Sequence, residues 1–75
     1  MNAERRKKLE EAINLLNTVI TSCTEVKDDE QDAFDNMPEG FQQSDKGQAM
    51  EGIIDALDSA IGSLEEAVSN IESIE

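Results

Sequence analysis

The 75-residue sequence contains no histidine, tryptophan or tyrosine, and its only aromatic residues are two phenylalanines. Without histidine the chain lacks the commonest general base and metal ligand, and without tryptophan and tyrosine it lacks the usual interface anchors. Cys23 is the only cysteine, so no disulfide can form within the chain, and a lone cysteine at a helical core position is typical of a reduced, intracellular protein. We therefore expect a protein that is not an enzyme, with no catalytic residues, no cofactor and no metal site.

Positive charge is also scarce. The chain has 6 basic residues against 18 acidic ones, a net charge of -12, and four of the six bases lie in the run from Arg5 to Lys8. Such acidity argues against direct binding of nucleic acid or of anionic membranes and favours a protein partner with a basic surface. No apolar run approaches the roughly 20 residues of a membrane span, and the basic segment near the start is not followed by the apolar h-region of a signal peptide. We expect a cytoplasmic protein.

The single proline, Pro38, divides two long stretches in which apolar residues recur every three or four positions. This spacing is typical of one helical face. Asn2 and Ser44 are suitable N-caps. The sequence predicts an all-α fold with one domain over residues 1–75: a helix over about 3–36, a turn over 37–44 and a second helix over about 45–74, which fold back as an antiparallel hairpin.

The second predicted helix contains three consecutive heptads between Gly52 and Glu72. They form an apolar face wider than one neighbouring helix covers, and we expect the part containing Ile54, Ile61 and Val68 to remain uncovered by the first helix. Two hairpins that share this face would form a four-helix bundle, or coiled coil, as a homodimer. A target protein that covers the same face is the alternative. The predicted dimer or partner seam consists of Ile54, Leu57, Ile61, Leu64, Val68 and Ile71.

A turn centred near Gly40 would place residues side by side when their numbers add to about 81. Leu16 would then face Leu64, and Cys23 would face Leu57. With this register, Arg5 and Arg6 are expected beside Glu72 and Glu75, where exposed ion pairs would mark the alignment. Phe41 is expected to fold back over the end of the hairpin.

Acidic residues are concentrated around the predicted turn. A calcium loop starting at Asp28 is disfavoured because Ala33 occupies the position that requires glycine. Carboxylates spaced along a rigid rod can imitate the phosphates of duplex DNA and compete for basic grooves, although the same acids could simply keep a small bundle soluble. The predicted partner-binding acidic face consists of Asp28, Asp29, Glu30, Asp32, Asp35, Glu39, Asp45, Glu51, Asp55 and Asp58.

The segments DNMPEG and SDKGQAM frame the predicted turn, and with the upstream RRKKLEEAINLL they resemble a family of short acidic helical proteins of bacteriophages and mobile elements in Gram-positive hosts. The resemblance covers nearly the whole chain and implies a setting but no activity. From it and from the charge we expect a small acidic interaction protein that inhibits a host defence or DNA-processing protein, with DNA mimicry as one mechanism. The alternative is a structural or assembly subunit of a phage particle or larger complex.

Overall fold

The computed structural model describes residues 1–74 and contains three helices in this part of the chain: α1 over Ala3–Asp35, α2 over Glu39–Gln42 and α3 over Asp45–Glu72. The long helices α1 and α3 pack against each other as an antiparallel hairpin with principal dimensions of 58 × 15 × 12 Å. The prediction of an all-α hairpin is confirmed. The segment predicted as a turn, residues 37–44, also contains a short helix, α2, which the sequence analysis did not predict.

Both long helices begin at the residues that the sequence predicts. The Asn2 side chain accepts a hydrogen bond from the Arg5 backbone N–H at 2.9 Å, and the Ser44 hydroxyl accepts one from the Gly47 N–H at 3.3 Å. Each bond satisfies one of the backbone donors that a helix leaves unpaired at its first turn. Asp45 lies in the first turn of α3, where a negative charge complements the helix dipole.

The connection between the long helices is compact and well bonded. The Gln42 side-chain amide donates to the carbonyl oxygens of Phe34 at 3.0 Å and Met37 at 3.2 Å, which closes the C-terminal end of α1. Gly47 is buried in the first turn of α3, and a Cβ at this position would overlap the Gln42 carbonyl group. Glycine is therefore required at position 47 because the backbone of α2 approaches α3 too closely for any side chain.

The register of the hairpin differs from the predicted one by one helical turn. Lys27 Nζ lies 2.8 Å from Asp58 Oδ1, so residues at the same level have numbers that add to about 85 instead of about 81. The connection over residues 36–44 contains the short helix α2, and the level pairing of the two long helices is centred near Gln42 instead of Gly40. A shift of four residues keeps the same helical face inward, because an α-helix has 3.6 residues per turn. The predicted level pairs, such as Leu16 with Leu64, are therefore wrong.

The core of the hairpin is a narrow seam between α1 and α3. Met50, Ile54 and Val68 are its only buried apolar residues in the described chain, with Ile54 and Val68 8% and 9% exposed. Leu57 and Ile61 are half-buried. The expectation that α1 leaves Ile54, Ile61 and Val68 uncovered is therefore wrong. The seam consists largely of the residues that were predicted as a dimer or partner surface: Ile54, Leu57, Ile61, Leu64, Val68 and Ile71.

The open end of the hairpin also differs from expectation. Within residues 1–74, the Lys27–Asp58 contact is the only ion pair, so the predicted pairing of Arg5 and Arg6 with Glu72 does not form. With the register shifted by one turn, the first residues of α1 extend beyond the end of α3. The predicted pairing with Glu75 lies outside the described residues. At the other end, Phe41 is 62% exposed and does not fold back over the hairpin.

Candidate interaction surfaces

Large apolar side chains remain exposed on α1. Leu15 and Val26 are 69% and 54% exposed, and Val19 lies between them and is also exposed. Positions 15, 19, 22 and 26 follow one line along the helix because they are separated by four, three and four residues. At 100° per residue this line lies about 90° from the side of α1 that faces α3. It therefore belongs to one broad face of the hairpin rather than to its interior.

The corresponding flank of α3 is also apolar. Ile53 and Ile74 are exposed, and three of the five positions between them along this flank are alanines, the other two being Ser63 and Asn70. Because the two helices are antiparallel, this flank of α3 and the exposed line of α1 turn toward the same side of the hairpin. We call this surface the apolar face. It consists of Leu15, Val19 and Val26 on α1 and Ile53, Ala56, Ala60, Ala67 and Ile74 on α3.

The large and small residues of the apolar face alternate across the hairpin. With level positions adding to about 85, Val26 is level with Ala60, and Val19 is level with Ala67, each to within one residue. Ile53 is likewise level with Ala33 of α1. The face thus presents a ridge on one helix beside a shallow groove on the other, an arrangement that suits packing of further helices.

The opposite broad side of the hairpin is acidic. Glu51 and Asp55 of α3 lie with Gln31 and Phe34 of α1 around a shallow depression above Ile54. Asp58 extends from the same side to contact Lys27. Helix geometry places Asp28 and Asp35 on the adjoining flank of α1. We call this surface the acidic face, and it consists of Asp28, Asp35, Glu51, Asp55 and Asp58.

The structure therefore brings together half of the predicted acidic residues. Asp29 and Asp32 lie on the outer edge of α1, and Glu30 is half-buried toward the apolar face. Glu39 lies in α2 and Asp45 begins α3. These five surround the turn end of the hairpin but do not share one plane with the acidic face.

Only one of the charges on the acidic face is neutralised by a neighbour. The Lys27 ammonium donates a hydrogen bond to Asp58 at 2.8 Å. This bond, together with the negative charge of Asp58, raises the pKa of Lys27 above its ordinary value. Asp35 accepts a hydrogen bond from the Gln31 side-chain amide at 3.0 Å, which fixes its carboxylate without altering the charge. The face therefore retains a dense negative charge, most of it directed toward solvent.

The hairpin exposes more surface than a compact chain of its size. Its accessible surface is 5500 Å² for a mass of 8.2 kDa, whereas compact monomers of that mass expose roughly 4500 Å². Its radius of gyration is 17.1 Å, against about 11 Å for a compact domain of this length. The excess of roughly 1000 Å² is comparable with the surface that each partner contributes to a standard protein interface.

The apolar face was not predicted from the sequence, because all apolar residues beyond those needed for the contact between the two long helices were assigned to α3. The signal was present in α1, where Leu15, Val19 and Val26 form a line beside the residues that face α3. Those core-facing residues, among them Leu16 and Ile20, have a similar spacing, so the two lines merge into one wide stripe in the sequence.

Within the part of the chain that the structure describes, no cluster of three or more potential metal-ligating side chains is present, and neither long helix is apolar enough over a sufficient length to cross a membrane. The chain matches no protein-family model, and no curated protein or solved structure is detectably similar to it.

Proposed function

We propose that the chain is a small, acidic, non-enzymatic interaction protein that forms a homodimeric four-helix bundle in the host cytoplasm and binds a basic surface on a host protein. A host defence or DNA-processing protein is the target class, and inhibition by occupation of its DNA-binding groove is the mechanism. The observation that carries this proposal is the division of the hairpin into an apolar face and an acidic face. One face suits self-association and the other leaves carboxylates available to a partner.

The density of charge supports mimicry by a dimer better than by a single hairpin. A charge of -12 along 58 Å is about one charge per 5 Å, whereas duplex DNA carries one per roughly 1.7 Å. Two hairpins side by side would carry about one charge per 2.4 Å of length. Dimerisation therefore brings the rod close to the linear charge density that a DNA-binding groove recognises.

The phage setting enters this proposal through the resemblance of the turn segments DNMPEG and SDKGQAM to short acidic proteins of phages and mobile elements. Small acidic proteins encoded there meet host nucleases and defence complexes, whose basic grooves are complementary to the acidic face.

The decisive experiment has two stages. The tagged protein is first used to capture partners from a Gram-positive bacterial lysate, and each captured protein is then purified and titrated with the tagged protein from about 50 to 300 mM salt. A test variant neutralises four charges of the acidic face (Asp28→Asn, Asp35→Asn, Glu51→Gln and Asp55→Asn). A control variant neutralises four exposed acids elsewhere (Glu4→Gln, Glu11→Gln, Glu25→Gln and Glu66→Gln).

Binding through the acidic face predicts a steep salt dependence whose logarithmic slope falls by up to about four, roughly one for each of the four neutralised charges that contacts the partner. The control variant changes the total charge equally and leaves that slope nearly intact. Competition with a fluorescent DNA duplex for the same purified target then tests mimicry. Salt-insensitive binding, or equal losses in both variants, would contradict the proposal.

A second function is favoured by the apolar face. If the chain is an assembly subunit, helices of a larger particle cover that face, and the contact tolerates salt. Val26→Glu would then abolish incorporation into the particle, whereas the four-charge test variant would not. Val26 is the right position because it is exposed; a charge at Ile61, inside the seam, would disrupt the hairpin itself.

A further inference from the structure

We infer that the occupant of the apolar face is a second copy of this chain, turned end for end, so that α1 of each hairpin packs along α1 of the other. This inference rests on the self-association proposed above and specifies its face and its orientation. It replaces the seam predicted from the sequence, because α1 already covers Ile54 and Val68 within one hairpin.

The exposed line on α1 complements itself when the second copy runs in the opposite direction. Its spacing of four, three and four residues is the same read from either end. About a two-fold axis between Val19 and Ser22, Leu15 meets Val26 of the second copy and Val19 meets Ser22 of the second copy. A closed two-fold interface requires this kind of self-matching surface.

The flank of α3 matches itself about nearly the same axis. In the hairpin register that axis lies level with residue 64 or 65 of α3. Ile53 with Ile74 of the second copy, and Ala60 with Ala67 of the second copy, are symmetric about a point between residues 63 and 64, which is about one residue, or roughly 1.5 Å, from that axis. The alanines allow the two α3 helices to approach closely, while the isoleucines fill the ends of the contact.

Charge determines which way round the second copy lies. If both turns lay at the same end, the acidic residues around them would be stacked together, and so would the two basic segments. In the reversed arrangement Arg5 and Lys8 come level with residues 33–36 of the second copy, beside the acids that flank its turn. Opposite charges then meet at both ends of the bundle, which favours this orientation over the parallel one.

The area available is sufficient for a stable contact. A broad side of the hairpin measures 58 × 15 Å, an outline of about 870 Å², and standard interfaces bury about 800 Å² per partner. The acidic faces are left on the two outer sides of the bundle, so the inferred dimer does not compete with binding of a basic partner.

The orientation is tested by a distance between spin labels. Gly40 is exposed with open space around it, so Gly40→Cys in a Cys23→Ser background accepts a label at the turn. In the inferred dimer the two turns lie about 55 Å apart, since each is roughly 20 residues from the axis. A double electron–electron resonance distance near 55 Å supports the inference. A distance below about 25 Å would show parallel hairpins and overturn the orientation while leaving self-association intact.

The face is tested by sedimentation equilibrium, in which the wild-type protein is expected at twice 8.2 kDa. Val19→Glu buries a carboxylate at the axis and is expected to raise the dimer Kd at least ~100-fold. Thr21→Glu adds the same charge on the outer side of α1 and is expected to leave Kd within a few-fold. Equal dissociation by both variants would overturn the choice of face. A monomeric wild-type protein would refute both this inference and the proposed self-association. If Val19→Glu unfolds the chain, the distance between the spin labels at position 40 still tests the inferred dimer, because that experiment does not use the Val19→Glu variant.

Discussion

Three glycines of α3 provide a direct test of the turn, because the same substitution should have opposite effects at different positions. A Cβ at Gly62 or Gly52 meets open space, whereas a Cβ at Gly47 overlaps the Gln42 carbonyl group. Alanine exceeds glycine in helix propensity by about 1 kcal/mol. Gly62→Ala should therefore raise stability by about 1 kcal/mol, or roughly 4–8 °C in Tm for a chain of this length.

Gly47→Ala should instead lower stability despite the same gain in propensity. Relieving the overlap moves α2 away from α3 and breaks the two hydrogen bonds from the Gln42 side chain to α1. Each such bond contributes about 1 kcal/mol, and the gap opened beside Met50 costs more, so a net loss of about 2 kcal/mol is expected. Gln42→Ala, which removes both bonds without the overlap, should cause a comparable loss of about 2 kcal/mol.

The assay is thermal unfolding followed by far-UV circular dichroism at one fixed protein concentration, since any dimer makes Tm depend on concentration. Gly52→Ala serves as a second exposed control. If Gly47→Ala raises Tm as Gly62→Ala does, then α2 does not pack on α3 as described, and the revised register of the hairpin is wrong with it.

Three further outcomes are expected. Ile54→Ala should cost about 2–4 kcal/mol in urea unfolding because Ile54 is buried in the seam, and a cost equal to that of exposed Ser59→Ala would contradict the seam. Asp58→Asn should return the pKa of Lys27 toward its ordinary value, measured by NMR titration of the side chain, and an unchanged pKa would exclude the contact. Because the pKa of Lys27 is raised in the folded state, the small stabilisation by this pair is lost only as the pH rises through that pKa. Added salt should raise Tm by screening the net charge of -12, and a fall of Tm with salt would show that attractive ion pairs outweigh the repulsion.

Most of the secondary structure could be read from the sequence because its signals are local. Asn2 and Ser44 cap the helices by bonds to residues three positions away, and Pro38 ends the first helical pattern. The register could not be read, because it depends on α2, whose four residues are too few to show a periodicity. Gln42 and Gly47 specify that turn through backbone contacts that only the folded chain forms.

The interaction surfaces were predictable only in part. The concentration of acids near the turn identified Asp28, Asp35, Glu51, Asp55 and Asp58, but a helix turns by 100° per residue, so neighbours such as Asp28 and Asp29 point in different directions. The apolar face was assigned to the wrong side of α3 because two heptad lines overlap there. Only the position of α1 decides which line is inside.

The short helix α2 also affects the order in which the hairpin closes. Contacts between α1 and α3 join residues that are near in sequence beside the turn and far apart at the open end, so the entropic cost of each closure grows with distance from α2. Folding should therefore begin where Gln42 holds the end of α1 and proceed as a zipper toward Leu9. We expect φ-values near 1 for substitutions at Gln42 and near 0 at Leu9, measured by stopped-flow kinetics. Uniform φ-values along the rod would contradict a zipper, whereas a gradient would make the turn the element that controls the folding rate and the open end the first part of the hairpin to fray.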